Sequence, residues 1–150
     1  YWPQLFLGFT FNWGVVMAWT SMTNEISYLP LLLYFGAIFW TLGYDTIYGI
    51  QDISDDEVIG VKSTAIKFKD SIGLFVGSCY LISSASIVIV MANLKINFSS
   101  IFLILFFLTL IYQLKISSNM LPKQCLKAFK LNGFSGMFVF LSFFMLSVDF

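Results

Sequence analysis

The sequence predicts an all-α protein, a polytopic bundle of about five transmembrane helices forming one membrane domain over residues 1–150. Three observations predict it. Composition is the first: 59% of residues are hydrophobic and 11% are charged, and the mean hydropathy of +0.87 lies well outside the soluble range. The second is where charge is missing. Asp, Glu, Lys and Arg are absent from residues 1–24, 26–44, 71–94, 96–114 and 131–148, each close to the roughly 20 residues a helix needs to cross a bilayer core. The third is that runs such as IFLILFFLTLIY do not alternate polar and apolar residues, as the strands of a membrane barrel do.

The first span is expected near Leu5–Met22 and carries Asn12, whose amide needs a partner in lipid, either an interhelical hydrogen bond or a polar cavity. The second, near Tyr28–Tyr48, runs directly into the stretch YDTIYGIQDISDDEVIGVKST, where five of the eight acidic side chains gather. The third and fourth are expected near Ile72–Ala92 and Ser99–Leu114. The fifth, near Asn132–Val148, opens on a second asparagine with the same need. Cys79 in the third span and Cys125 in a loop are too far apart in sequence to suggest a metal pair, and read as unpaired thiols.

Lysine placement orients the bundle, because short lysine-rich loops stay on the cytoplasmic side. Lys62, Lys67 and Lys69 follow the second span, Lys115, Lys123, Lys127 and Lys130 lie between the fourth and fifth, and the opposite side carries only Lys95. Residues 49–70 and 115–131 are therefore expected to be cytoplasmic loops, with the C-terminus outside. The chain starts YWPQ, with no initiator Met and no basic leader segment, and has an odd number of spans. It is expected to be the C-terminal portion of a longer protein and to need a missing N-terminal half as its partner. No nucleic-acid partner is expected.

Asp45 is expected at or just below the membrane surface, a depth at which ionisable groups turn toward a bundle interior or a wet cavity. If the helix continues, Asp45, Tyr48, Asp52, Asp55 and Asp56 follow steps of three or four residues and share one face. Carboxylates so close together raise one another's pKa unless a cation sits among them. The chain has no His and no paired Cys, which removes the ligands that select zinc or copper. Oxygen ligands favour Mg²⁺, which binds through one or two carboxylates and completes its shell with water and phosphate. Asp52 and Asp56, at i and i+4, are the natural pair, and a substrate carrying a diphosphate is the natural third party. Downstream, Gly60 permits a sharp turn, and Ser63 and Thr64 can cap a short helix. Lys62 is then either a point charge for a phosphate oxygen or a lysine that sets topology. The plain alternative for the whole stretch is a solvated acidic loop without an ion.

The segment YDTIYGIQDISDDEVIGVKSTAIKF resembles the second aspartate-rich motif of the UbiA-type membrane prenyltransferases. WPQLFLGFTFNWG is similar to the family's segment entering the fifth helix, and CLKAFKLNGFSG to the one entering the ninth. The resemblance implies helices 5 to 9 of a nine-helix fold around a central cavity. It also implies two facing aspartate motifs that bind Mg²⁺ with a polyprenyl diphosphate, and 4-hydroxybenzoate of ubiquinone biosynthesis as acceptor. Carried over, the metal ligands fall on Asp52 and Asp56, with Asp55 accessory. Asp45 and Tyr48 fall on catalytic positions of the polar cavity, and Lys62 and Tyr44 on diphosphate-binding positions. The family's first motif, of NDxxD type, is missing from these residues. The implied setting is a bacterial or mitochondrial inner membrane, with the site on the cytoplasmic or matrix side. Two alternatives remain beside this one: a related prenyltransferase with another acceptor, such as a naphthoate, a haem or a chlorophyllide, and a non-catalytic membrane fragment. A CDP-alcohol phosphotransferase is excluded, because its DGxxAR segment needs an arginine and the chain has none.

Overall fold

A computed structural model describes residues 1–94 and 98–148, with the side chains of residues 99, 147 and 148 outside that description. Lys95, expected on the side opposite the other lysines, lies outside the described residues. All regular structure among the described residues is helical. In chain order the helices are α1 (Pro3–Phe11), α2 (Gly14–Thr23), α3 (Tyr28–Gly49), α4 (Ile53–Ile59), α5 (Thr64–Lys67), α6 (Ile72–Leu94), α7 (Ile101–Ser117), α8 (Pro122–Lys130) and α9 (Asn132–Val148).

Among the described residues three stretches are long and apolar enough to cross a membrane, Pro3–Thr23, Lys69–Leu94 and Pro122–Leu146, and Ile101–Ser117 is an apolar but shorter helix. The expected second span is a helix of 22 residues, long enough to cross, whose C-terminal part carries Thr41, Asp45 and Thr46 among its apolar residues. α3 packs against α1, α2, α6 and α8, so Thr41 and Thr46 are buried against protein and need not suit lipid. Outward residues are the reverse: Phe11, Leu74 and Leu81 are each more than 70% exposed, a surface that only an apolar solvent covers without penalty.

The first expected span is two helices. Asn12 breaks it by donating through Nδ2 to the Gly8 carbonyl at 2.8 Å and across to Thr41 Oγ1 at 2.8 Å. The asparagine amide is thus met by an interhelical hydrogen bond, as is that of Asn132, whose Oδ1 accepts from Trp40 Nε1 at 3.1 Å. Small residues let α3 and α6 approach closely: a Cβ on Gly36 would lie 2.8 Å from Ser86 Cβ, and one on Gly43 would lie 2.6 Å from the Tyr80 ring. Both cysteines are buried and free.

The two lysine-rich segments lie at one end of the bundle. A cavity of about 420 Å³ there is lined by Ile47 of α3, by Lys69, Asp70 and Ile72 at the start of α6, and by Ser117 and Met120 at the end of α7. At the other end, the Tyr28 hydroxyl donates to Asn93 Oδ1 at 2.6 Å, tying the start of α3 to the end of α6. Neither segment is a simple loop, since residues 49–70 hold α4 and α5 and residues 115–131 hold α8. α8 forms because Lys123, Lys127 and Lys130 share one face, while Cys125 and Ala128 on the other are fully buried.

Candidate functional site

The acidic stretch folds back on the end of α3. The chain leaves α3 at Gly49, makes a 3-10 turn over Ile50–Asp52, enters α4, and reverses at Gly60 with φ of 76°. Glycine has no Cβ to clash in that left-handed conformation. The Val61 N–H closes the turn on the Asp56 carbonyl at 2.9 Å. Ser63 then caps α5, its Oγ accepting from the Ile66 N–H at 3.3 Å. Two bonds pin the returning chain: the hydroxyls of Thr64 and Thr46 lie 2.7 Å apart, and the Thr64 N–H donates to Gln4 Oε1 of α1 at 3.1 Å. The glycine-to-threonine turn bearing Lys62 is therefore fixed against α3 by buried polar bonds.

Tyr44 and Asp45 are half-buried on α3, and Tyr48 is 40% exposed. Asp52 and Asp55 are exposed and Asp56 is half-buried. Lys62 is exposed, its Nζ 5.5 Å from the centre of the Tyr1 ring. The α-helix does not run unbroken from Asp45 to Asp56, because the 3-10 turn over Ile50–Asp52, with three residues per turn, stands between α3 and α4. Among the described residues no three His, Cys, Asp or Glu side chains gather where they could hold a metal ion.

A smaller set remains. Asp52 stands at the N-terminal boundary of α4, its side chain making no capping bond, and Asp56 lies one helical turn further on. Among the described residues, no hydrogen bond or ion pair engages the side chains of Asp45, Asp52, Asp55 or Asp56. Their neighbour Glu57 is neutralised by Lys69 at 2.8 Å. Two unpaired carboxylates one turn apart fit a hard cation that draws its remaining oxygens from water, phosphate or another segment. They do not make a cage of their own.

Two features were missed in the sequence. Phe129 of α8 packs its ring 4.6 Å from Tyr48 and 5.8 Å from Tyr44, and Trp40 stands 6.1 Å from Tyr44, so aromatic rings cluster around the two tyrosines that flank Asp45 in the sequence. No local pattern distinguishes Phe129 from the other 17 phenylalanines. The second is a buried polar relay. Tyr80 donates to Gln113 Oε1 at 2.5 Å, and Gln113 Nε2 donates to Ser135 Oγ at 3.0 Å and to Asn132 Oδ1 at 3.3 Å. Its signal was legible, since Gln113 is a lone amide in an apolar run and such groups in lipid need partners.

The chain matches the UbiA prenyltransferase family over residues 1–145. It is 33% identical over 142 residues, 93% of the chain, to a 4-hydroxybenzoate octaprenyltransferase of Marinobacter nauticus, of which it covers 48%. It is 34% identical over 140 residues to the protein of that name in Vibrio campbellii, covering 93% of the chain and 49% of the relative. A shorter stretch of 76 residues, 50% of the chain and 19% of the relative, is 49% identical to a mitochondrial 4-hydroxybenzoate polyprenyltransferase of Arabidopsis thaliana. The chain thus spans about half the length of the bacterial relatives it matches. No solved structure matches it.

Proposed function

The chain belongs to the UbiA prenyltransferase family, and from that premise we propose that it is the portion of an enzyme that seats a polyprenyl diphosphate and helps transfer its prenyl group to the ring of 4-hydroxybenzoate, in ubiquinone biosynthesis. The observation that carries this reading is the free pair of carboxylates, Asp52 and Asp56, beside a neighbour already neutralised by Lys69. When bound there, with Asp55 as accessory, Mg²⁺ supplies a Lewis acid for the diphosphate oxygens.

Lys62, on its pinned turn, binds a phosphate oxygen as a point charge, and Tyr44 donates a hydrogen bond to the same group. The allylic C–O bond breaks and the diphosphate leaves with the electron pair. The ring carbon ortho to the acceptor hydroxyl then forms the new C–C bond. Loss of the ring proton restores aromaticity, and Asp45, which forms no ion pair among the described residues, accepts that proton. The rings of Tyr48 and Phe129 border the reacting carbon and offer their faces to its positive charge. In this reading the site faces the cytoplasm or matrix across a bacterial or mitochondrial inner membrane, since the lysine-bearing segments lie at its end of the bundle.

The test is made in the full-length enzyme. Asp52→Ala and Asp56→Ala are each expected to lower prenyl transfer by about a hundredfold or more with membrane insertion intact, and chelation of divalent cations is expected to abolish it. Near-normal turnover in either variant removes that residue from the metal site. A naphthoate accepted in preference to 4-hydroxybenzoate reassigns the acceptor. A cysteine at Ser54 is expected to react with membrane-impermeant reagents only from the cytoplasmic or matrix side, and labelling from the outer face alone reverses the orientation.

A further inference from the structure

We propose that the groove between α8 and the first turn of α9 docks the headgroup of an anionic phospholipid. The groove, about 340 Å³, is lined by Lys123, Lys127 and Lys130 together with Leu126, Leu131 and Phe134. The lysines stand at i, i+4 and i+7, so one helix face carries all three ammonium groups. Each is exposed, and among the described residues none pairs with a carboxylate. Residues 115–131 contain four lysines and no Asp or Glu, so this charge has no local counterion in the sequence.

The face is held rigidly. Cys125 and Ala128, on the opposite side of α8, are fully buried, and α8 packs against α3, α7 and the Ile50–Asp52 turn. A lysine triad on a loop would spread to lower its own repulsion, whereas here the backbone keeps the three stems together.

The groove also lies at the water–lipid boundary. α8 opens the apolar stretch Pro122–Leu146, one of those long enough to cross a membrane. Leu126 and Leu131 are half-buried and Phe134 is 57% exposed, which gives the triad an apolar floor continuous with the outer face of α9. A soluble anion has no use for that floor. A phospholipid needs both parts, with phosphate on the ammonium groups and the glycerol and first methylenes against Leu131 and Phe134. Lysine stems suit the arrangement, because they lie along apolar surface while their heads reach the polar layer.

The test uses the chain purified in detergent, offered equimolar phosphatidylglycerol and phosphatidylcholine, with retained lipid counted by native mass spectrometry. Phosphatidylglycerol is expected to be retained in preference. The variant Lys123→Gln with Lys127→Gln and Lys130→Gln is expected to hold it about a hundredfold more weakly, since each lysine near an anionic headgroup contributes about 1 kcal/mol and the three together about 3 kcal/mol. Arginine at the same three positions, and the charge-matched control Lys67→Gln with Lys69→Gln and Lys115→Gln, are expected to retain it as the parent does. Phe134→Ser leaves every lysine in place and is expected to weaken retention through the floor alone. Equal retention of both lipids overturns the proposal, as does undiminished retention by the glutamine triple or by Phe134→Ser. Equal loss in the charge-matched control reduces the effect to overall charge and overturns it too. Displacement of the lipid by excess inorganic diphosphate assigns the groove to a free anion instead.

Discussion

Gln113 shows how one polar side chain organises an apolar interior. It is fully buried, and its amide accepts from Tyr80 of α6 while donating to Ser135 and Asn132 of α9, so α6, α7 and α9 meet at a single group. Interhelical hydrogen bonds in membranes contribute about 0.6 kcal/mol each on average, but orphaning their partners in a low-dielectric interior adds to the loss. Gln113→Ala removes three such bonds and leaves the buried Tyr80 hydroxyl without its acceptor, while Ser135 keeps Thr109 and the Leu131 carbonyl. It is expected to lower stability by about 2 kcal/mol, and Tyr80→Phe, which loses a single bond, by about half of that. Unfolding in mixed micelles by denaturing detergent measures both. Equal losses would mean that the relay acts through Tyr80 alone, and no loss in either would mean that water already satisfies it. The aspartates differ in kind: among the described residues no hydrogen bond or ion pair engages Asp52 or Asp56, so their substitution is expected to affect binding chemistry rather than folding.

The contact of α3 with α6 rests on the absence of side chains. A methyl group at Gly43 would meet Tyr80 Cε1 at 2.6 Å and Cδ1 at 2.8 Å, and that ring cannot swing aside while its hydroxyl is held by Gln113. Gly43→Ala is therefore expected to cost about 1–3 kcal/mol through overpacking. Gly77→Ala lies on the same helix pair, but a Cβ there would find no atom within 4 Å. It is expected to be neutral or to stabilise by up to about 1 kcal/mol, because alanine loses less backbone entropy in a helix. Thermal unfolding of the two variants in detergent separates the effects, and a loss at Gly77 equal to that at Gly43 would show that helix propensity, not the close approach, sets the cost. Charge spacing made α3, α6, α7 and α9 legible to within a few residues, because a charge marks where a helix leaves lipid. The break after α1 was not legible, since it depends on Thr41, 29 positions away, accepting from Asn12. The 3-10 turn at Ile50–Asp52 was missed for a similar reason. The aspartate spacing reads as one helix, while the fold-back on Thr46 and Gln4 is a tertiary event that periodicity does not encode. α8 was hidden because its lysines marked residues 115–131 as a loop, although the same lysines fall on one helix face.

At the scale of the whole molecule, charge is concentrated at one end. The net charge is zero, yet the acidic stretch and the lysines of α5, α7 and α8 lie where α3 and α7 end and α6 begins, and among the described residues Glu25 is the one charged side chain away from that end. A diphosphate brought to that end needs more positive charge than one lysine turn supplies, and a cation needs more oxygens than Asp52 and Asp56 carry. Among the described residues no third ligand stands near enough to join them. The bacterial relatives are about twice as long as the stretch they share with this chain. The remaining oxygens and the closing walls are accordingly expected from the part of the relatives these residues do not span. These 150 residues alone are thus expected to form no prenylated product when purified in detergent and assayed with Mg²⁺, a polyprenyl diphosphate and 4-hydroxybenzoate. Co-expression with the N-terminal half of the Marinobacter nauticus relative is expected to restore turnover, because it would supply the missing ligands and exclude water from the reacting carbon. A second arm repeats the co-expression with Asp52→Ala in this chain, and activity is expected to vanish again. Comparable product from the chain alone and from the co-expressed pair would show that two carboxylates and one lysine turn suffice, and the shared site would have to be abandoned.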